Sequence, residues 1–274
     1  MIKEEALNVL RGIVLIDSRM PQRCKTAVRR YFRTIELPEN KAFEQPLRTH
    51  PDLVLFPYHE GFLIEQRTAL CFEAMGDKQT FYFADEIFKE NVVRFRAGKT
   101  GVRYPHDCAL NFAMCGNFII GNREAIHPKL AGLILKYGWK LINVKQGYAK
   151  CKLINVKQGY AKCNICTVSD NAIITEDEGI AKSCAEYGID VLLLKTKAVR
   201  LPGYDYGFIG GACSQPHRTL DGIKIFFCGS IEKHPEYEKI RRFCRKYDVV
   251  PESLTQSQLT DCGSILPLVR RIIV

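Results

Sequence analysis

One order of elements recurs three times between residues 109 and 250: strand, tight turn, strand, helix, strand. The first pass has apolar stretches at 109–114 and 118–121 around Cys115-Gly116-Asn117, a helical pattern through 128–135 and a strand at 141–144. The second has strands at 164–168 and 172–175 around Ser169-Asp170-Asn171, a helix over 177–186 and a strand at 191–194. The third has strands at 207–213 and 223–228 with a turn at Leu220-Asp221-Gly222, a helix over about 235–247, and Val249-Val250. Apolar runs bounded by Gly, Asn and Asp read as strands, and a 3.6-residue period as a helix. Each ββαβ unit is too small to bury its own apolar faces, so successive units must pack on one another.

The ends of the chain complete the series. Residues 12–16, a helix opened by Ser18 and Pro21, and residues 34–37 make a unit without its first strand, while 262–269 is an apolar strand without a unit. Pairing the two would close a ring. Residues 53–56, 62–65 and the weakly periodic stretch to 101 then hold a fifth unit. The expected architecture is α/β: a single domain over 1–274, built as a five-bladed α/β propeller of ββαβ units around a central pore.

Residues 140–151 read KLINVKQGYAKC, and residues 152–163 repeat the same twelve letters. Identity across adjacent segments is unlike the diverged repeats of solenoids. The second copy reads as a tandem duplicate inserted as a surface loop, and the unit count leaves it out.

Composition removes several classes. The chain has 274 residues, 46% apolar and 26% charged, with 40 Lys and Arg against 30 Asp and Glu. That is the balance of a globular chain, neither disordered nor collagen-like. The longest uncharged stretch, 108–122, contains three asparagines and falls short of the ~20 apolar residues of a spanning helix. The N-terminus carries Glu4 and Glu5 where an export signal has a basic region. A soluble cytoplasmic protein is expected, with no membrane association. Its 12 cysteines are expected as thiols in a reducing compartment. Cys163 and Cys166 form a CxxC with no second pair at zinc spacing, so neither a metal nor another cofactor is expected.

Three motifs carry a resemblance: Tyr104-Pro105-His106-Asp107 followed by Asn111, then Gly207-Phe208-Ile209-Gly210-Gly211, then Leu259-Thr260-Asp261-Cys262-Gly263. With the recurring units, they make the chain similar to the pentein fold of guanidino-group modifying enzymes, and in particular to an uncharacterised family of that fold. The resemblance implies amidino hydrolysis or transfer, with Cys262 as nucleophile and a histidine as acid/base. A thiolate is a strong nucleophile, and imidazole transfers protons near neutral pH. It also implies carboxylates that match the planar N–H fork of a guanidinium. His217 is the first proton carrier to consider and His106 the second. His50, His59, His127 and His234 lie mostly beside Pro at element boundaries and read as caps. Asp107, Asn111, Gly210, Gly211 and Asp261 are the expected ligand contacts. Asp261 stands where these enzymes have a histidine before the cysteine, and a negative neighbour opposes a thiolate.

Glycines at 207, 210 and 211 permit close approach, by a ligand at the pore or by a neighbouring blade. Basic residues crowd the first helix (Arg19, Arg23, Lys25, Arg29, Arg30, Arg33) and the last (Lys239, Arg241, Arg242, Arg245, Lys246). They support an alternative: a non-catalytic scaffold binding an anionic partner such as ribosomal RNA, weakly and through charge. A small-molecule ligand is the first expectation and nucleic acid the second. The sequence sets no oligomeric state.

Overall fold

A computed structural model describes residues 13–17, 22–37, 56–58, 61–65, 92–95, 112–116, 118–124, 140–141, 154–155 and 160–265. The chain divides into two compact units, Met1–Gly98 with Leu266–Val274, and Lys99–Ile265.

In the first unit, β1 (Ile13–Asp17) runs parallel to β2 (Arg33–Leu37) in register from Ile13↔Arg33 to Asp17↔Leu37. The connecting helix Gln22–Arg29 buries Ala27 and Val28, and Phe32 is buried after it. Its Lys25 is also buried and forms an ion pair with Glu36, which Arg29 joins at 3.0 Å. Two of the bases read as an anion footprint are thus held by one carboxylate. β3 (Phe56–Tyr58) pairs antiparallel with β4 (Gly61–Glu65), and β4 pairs parallel with β5 (Val92–Phe95).

The second unit uses the same pairing order three times. β6 (Ala113–Cys115) and β7 (Phe118–Gly121) are antiparallel, as are β10 (Ile165–Ser169) and β11 (Ala172–Thr175), and β13 (His217–Thr219) and β14 (Gly222–Phe227). In each case the second strand then pairs parallel with a later one. β11 pairs with β12 (Asp190–Leu193), and β14 with β15 (Val249–Ser253). Parallel pairing demands a crossover, and a helix supplies it in both. The helix Glu178–Ala185 begins at Asp177, whose side chain accepts the Ile180 N–H at 2.8 Å, and buries Ile180 and Cys184. The helix Tyr237–Arg245 buries Ile240 and Cys244.

β7 takes its parallel partners from both copies of the duplicated segment. Phe118 and Ile119 pair with Lys140 and Leu141 of β8, and Ile120 and Gly121 pair with Ile154 and Asn155 of β9. Read along β7, the partners spell K-L-I-N, the opening of a single copy.

Two buried clusters share β11, because alternate residues of a strand face opposite ways. Ile173 packs with Ala113, Cys115, Ile120, Ile165 and Ile180. Ile174 packs on the other side with Cys166, Val168, Ile225, Phe227 and Ile240.

The described residues form five separate sheets, none of them closed on itself. Each central strand is paired on both sides by its own neighbours, which leaves only isolated bridges such as Arg200↔Thr260 and Ser214↔Ile265 between segments. Residues 207–213 do not form a strand: 209–212 are a turn in which the N–H groups of Gly211 and Ala212 fold back onto the Phe208 carbonyl at 3.1 and 3.2 Å, and Cys213 makes an isolated antiparallel bridge to Phe227. The first strand of that sheet is His217–Thr219 instead, and His217 is buried in it. Cys262 lies in an irregular segment between the bridging residues Thr260 and Ile265. Asp107, Asn111 and His106 lie outside the described residues.

Candidate functional site

The turn at Phe208–Ala212 organises the site. Because its backbone folds inward, the N–H groups of Phe208 and Ile209 at its start find no backbone carbonyl and instead meet carboxylates. Phe208 donates to Asp261 Oδ2 at 3.0 Å, and Ile209 donates to Glu176 Oε2 at 3.0 Å. Asp261 Oδ1 also accepts from the Gly263 N–H at 3.0 Å. Two carboxylates therefore rest on consecutive amides of one turn.

The glycines make this arrangement fit. A Cβ on Gly211 would stand 2.1 Å from Asp261 Oδ1, and one on Gly207 would stand 2.6 Å from Asp261 Cβ. A Cβ on Gly210 would meet the Ile165 carbonyl at 2.3 Å. The close approach at Gly210 and Gly211 is to the protein's own Ile165 carbonyl and Asp261 carboxylate.

Charge in the site is unusual. Asp261 is 4% exposed, and its burial raises the carboxyl above the ordinary aspartate range despite the two amide bonds and the Lys162 ammonium. Burial pushes Glu176 up to about 7; the Ile209 amide and Lys197 counter this, while the charges of Asp261 and Glu236 add to it. Glu176 Oε1 is buried without a hydrogen-bond partner. Burial lowers the Lys162 ammonium, and the nearby Cys163, Cys213, Asp261 and Cys262 partly restore it. A carboxyl near 7 with one partnerless buried oxygen can accept a hydrogen-bonding cation or keep a proton.

Cys262 is 8% exposed. Its N–H donates to the Gly211 carbonyl at 3.1 Å, and its Sγ lies 3.8 Å from that oxygen and 2.7 Å from the Cys228 Sγ. Cys262, Asp261, Gly210 and Gly211 thus converge on one turn. His217 pairs across the sheet with Lys224 of β14, a residue about 13 Å along an extended chain from Cys228, which follows that strand. Its ring lies 6.3 Å from that of Phe226. His234 takes the boundary role read for it, its Nδ1 accepting the Glu236 N–H at 3.1 Å just before the last helix. Among the described residues no group of three His, Cys, Asp or Glu could hold a metal ion.

Glu176 and Lys162 were not singled out in the sequence. Glu176 follows an apolar strand and precedes the helix cap, so it reads as part of an acidic helix entry. Lys162 sits inside the second twelve-residue copy.

The sequence profile of a family of unknown function (DUF6873) matches residues 15–154 and 152–266. The chain belongs to that family. The two matched stretches of this DUF6873 member meet within the duplicated segment, overlapping at residues 152–154. Curated proteins include no match to it. Among solved structures, the family member is similar to agmatine deiminase from C. jejuni, with a TM-score of 0.52 at 10% identity over 97% of this chain and 95% of the other. It also aligns with a dimethylarginine dimethylaminohydrolase adduct with 4-chloro-2-hydroxymethylpyridine, at TM-score 0.44 and 8% identity over 90% and 93% of the two chains. A histidine-to-glycine variant of dimethylarginine dimethylaminohydrolase in an adduct with S-methyl-L-thiocitrulline gives 0.48 and 10% over 89% and 93%. The likeness to agmatine deiminase spans nearly all of both chains and establishes a pentein-type scaffold.

Proposed function

We propose that this DUF6873 member binds a small molecule bearing a guanidinium or amidinium group, held between the carboxylates of Glu176 and Asp261. One observation carries the reading: the two carboxylates are anchored on the consecutive amides of Phe208 and Ile209, and Glu176 Oε1 is left buried without a partner. A planar cation with several N–H donors satisfies such an oxygen, and its charge offsets the crowding of Glu176, Asp261 and Glu236. The pentein resemblance and the fold shared with agmatine deiminase supply the ligand class. The reading also takes the five sheets as blades of one five-bladed propeller, the arrangement that resemblance implies. It is a reading of binding rather than amidino transfer, because Cys262 leans on Cys228 while His217 lies on β13 opposite Lys224.

Calorimetric titration with guanidine, arginine and agmatine tests it. At least one is expected to bind, more tightly above pH 7 than below because only the ionised Glu176 carboxylate attracts the cation. Glu176→Gln is expected to weaken binding at least tenfold while the chain stays folded by circular dichroism. No binding of any of the three at millimolar concentration, or undiminished binding by the variant, overturns the reading.

A further inference from the structure

The sulfur atoms of Cys228 and Cys262 lie 2.7 Å apart, although the residues stand 34 positions apart in the chain. Their backbones place them there independently of the side chains. Cys228 donates its N–H to the Ala212 carbonyl at 2.8 Å, and Cys262 donates to the adjacent Gly211 carbonyl at 3.1 Å. The Cys228 carbonyl in turn accepts the Thr260 N–H at 2.8 Å. Two thiols hung on consecutive carbonyls of one turn need less than about 1 Å of movement to reach a bond of about 2.05 Å.

We propose that Cys228 and Cys262 are a redox pair that closes to a disulfide on exposure to a peroxide. Cys262 is the entry point, at 8% exposure against 4% for Cys228. Its sulfur attacks one peroxide oxygen and the O–O bond breaks. One water leaves, and Cys262 becomes a sulfenic acid. The Cys228 sulfur then attacks the Cys262 sulfur: the S–O bond breaks, the hydroxyl leaves as a second water with the Cys228 proton, and the S–S bond forms. Two thiols lose two electrons, and one peroxide is reduced to two waters.

Four other core thiols compete poorly with this pair. Burial pushes Cys115 and Cys244 up to about 12 and raises Cys184 as well. Cys166 is raised by its hydrogen bond with Cys213 and by burial. Thiols held protonated in an apolar core are poor nucleophiles toward a peroxide.

The proposal does not depend on cation binding at Glu176, and its test reads sulfur chemistry alone. The full chain is treated with one to five equivalents of hydrogen peroxide, the remaining thiols are blocked with iodoacetamide, and peptides are mapped without reduction. A Cys228–Cys262 linked peptide, 2 Da lighter than the two thiol peptides together and cleaved by dithiothreitol, is expected as the main product. Its appearance is expected to remove Cys262 labelling by a haloacetamidine and to raise the melting temperature. In Cys228→Ser, dimedone is expected to trap a sulfenic acid at Cys262. Linked peptides that join other cysteines instead, or full alkylation of both Cys228 and Cys262 after peroxide, overturn the proposal without recourse to a variant. Either result leaves the titrations with guanidine, arginine and agmatine unaffected.

Discussion

Glu176 couples the site to pH. An unfolded glutamate titrates near 4.5, while in the folded chain burial pushes Glu176 up to about 7. Between these values the folded chain holds a proton that the unfolded chain has released. Its contribution to stability is therefore fully present below about 4.5 and declines as pH rises through about 7. The whole effect is at most about 3 kcal/mol. Thermal melts from pH 5 to 8 are expected to show a falling melting temperature in the wild type and a flatter profile in Glu176→Gln, with the variant the more stable at pH 8. A parallel pair of profiles would mean that the carboxyl titrates in the ordinary range. Little of this was legible in the sequence. Asp261 and Cys262 stood out by motif, but the amides that hold Asp261 and Glu176 come from residues 53 and 33 positions away. Such pairings are set by tertiary folding, and local pattern does not encode them. Gly211 was legible as a point of close approach, but not as the one that accommodates Asp261.

At the scale of elements, local signals succeeded where they were complete. The helix read over 177–186 is Glu178–Ala185 between Asp177 and Glu186, because an N-cap acid, a 3.6-residue apolar period and Gly188 at φ +77° all agree. The sequence over 207–213 reads as a strand only because an apolar run interrupted by three glycines has no usable period; its turn at 209–212 is fixed by bonds to Phe208. The duplicated segment gives the sharpest expectation here. β7 is satisfied by Lys140, Leu141, Ile154 and Asn155, which together make one copy's worth of strand. Deleting residues 152–163 leaves K-L-I-N in place to fill the same ladder. The deletion variant is expected to keep or raise its melting temperature, since closing a loop twelve residues longer costs about 1 kcal/mol or less. A drop of ten degrees would mean that both copies are structural.

For the molecule as a whole, the excess of positive charge is less available than composition suggests. Lys25 and Arg29 share Glu36, Lys239 pairs with Glu236 at 2.8 Å, Arg241 with Glu238 at 2.7 Å and Lys246 with Asp190 at 2.6 Å. A base held by a neighbouring acid releases fewer counterions on meeting a phosphate backbone. Binding to mixed-sequence RNA is expected to be no tighter than micromolar at physiological salt and to fall steeply between 50 and 200 mM salt. Submicromolar binding that ignores salt would reinstate the anionic-partner scaffold. The composite ladder on β7 also bears on the chain's own history. Because the two twelve-residue segments are identical and adjacent, removing residues 142–153 or residues 152–163 yields one and the same polypeptide. Loss of either copy therefore restores the same K-L-I-N run opposite Phe118–Gly121, so the β7 ladder is indifferent to which copy a descendant keeps.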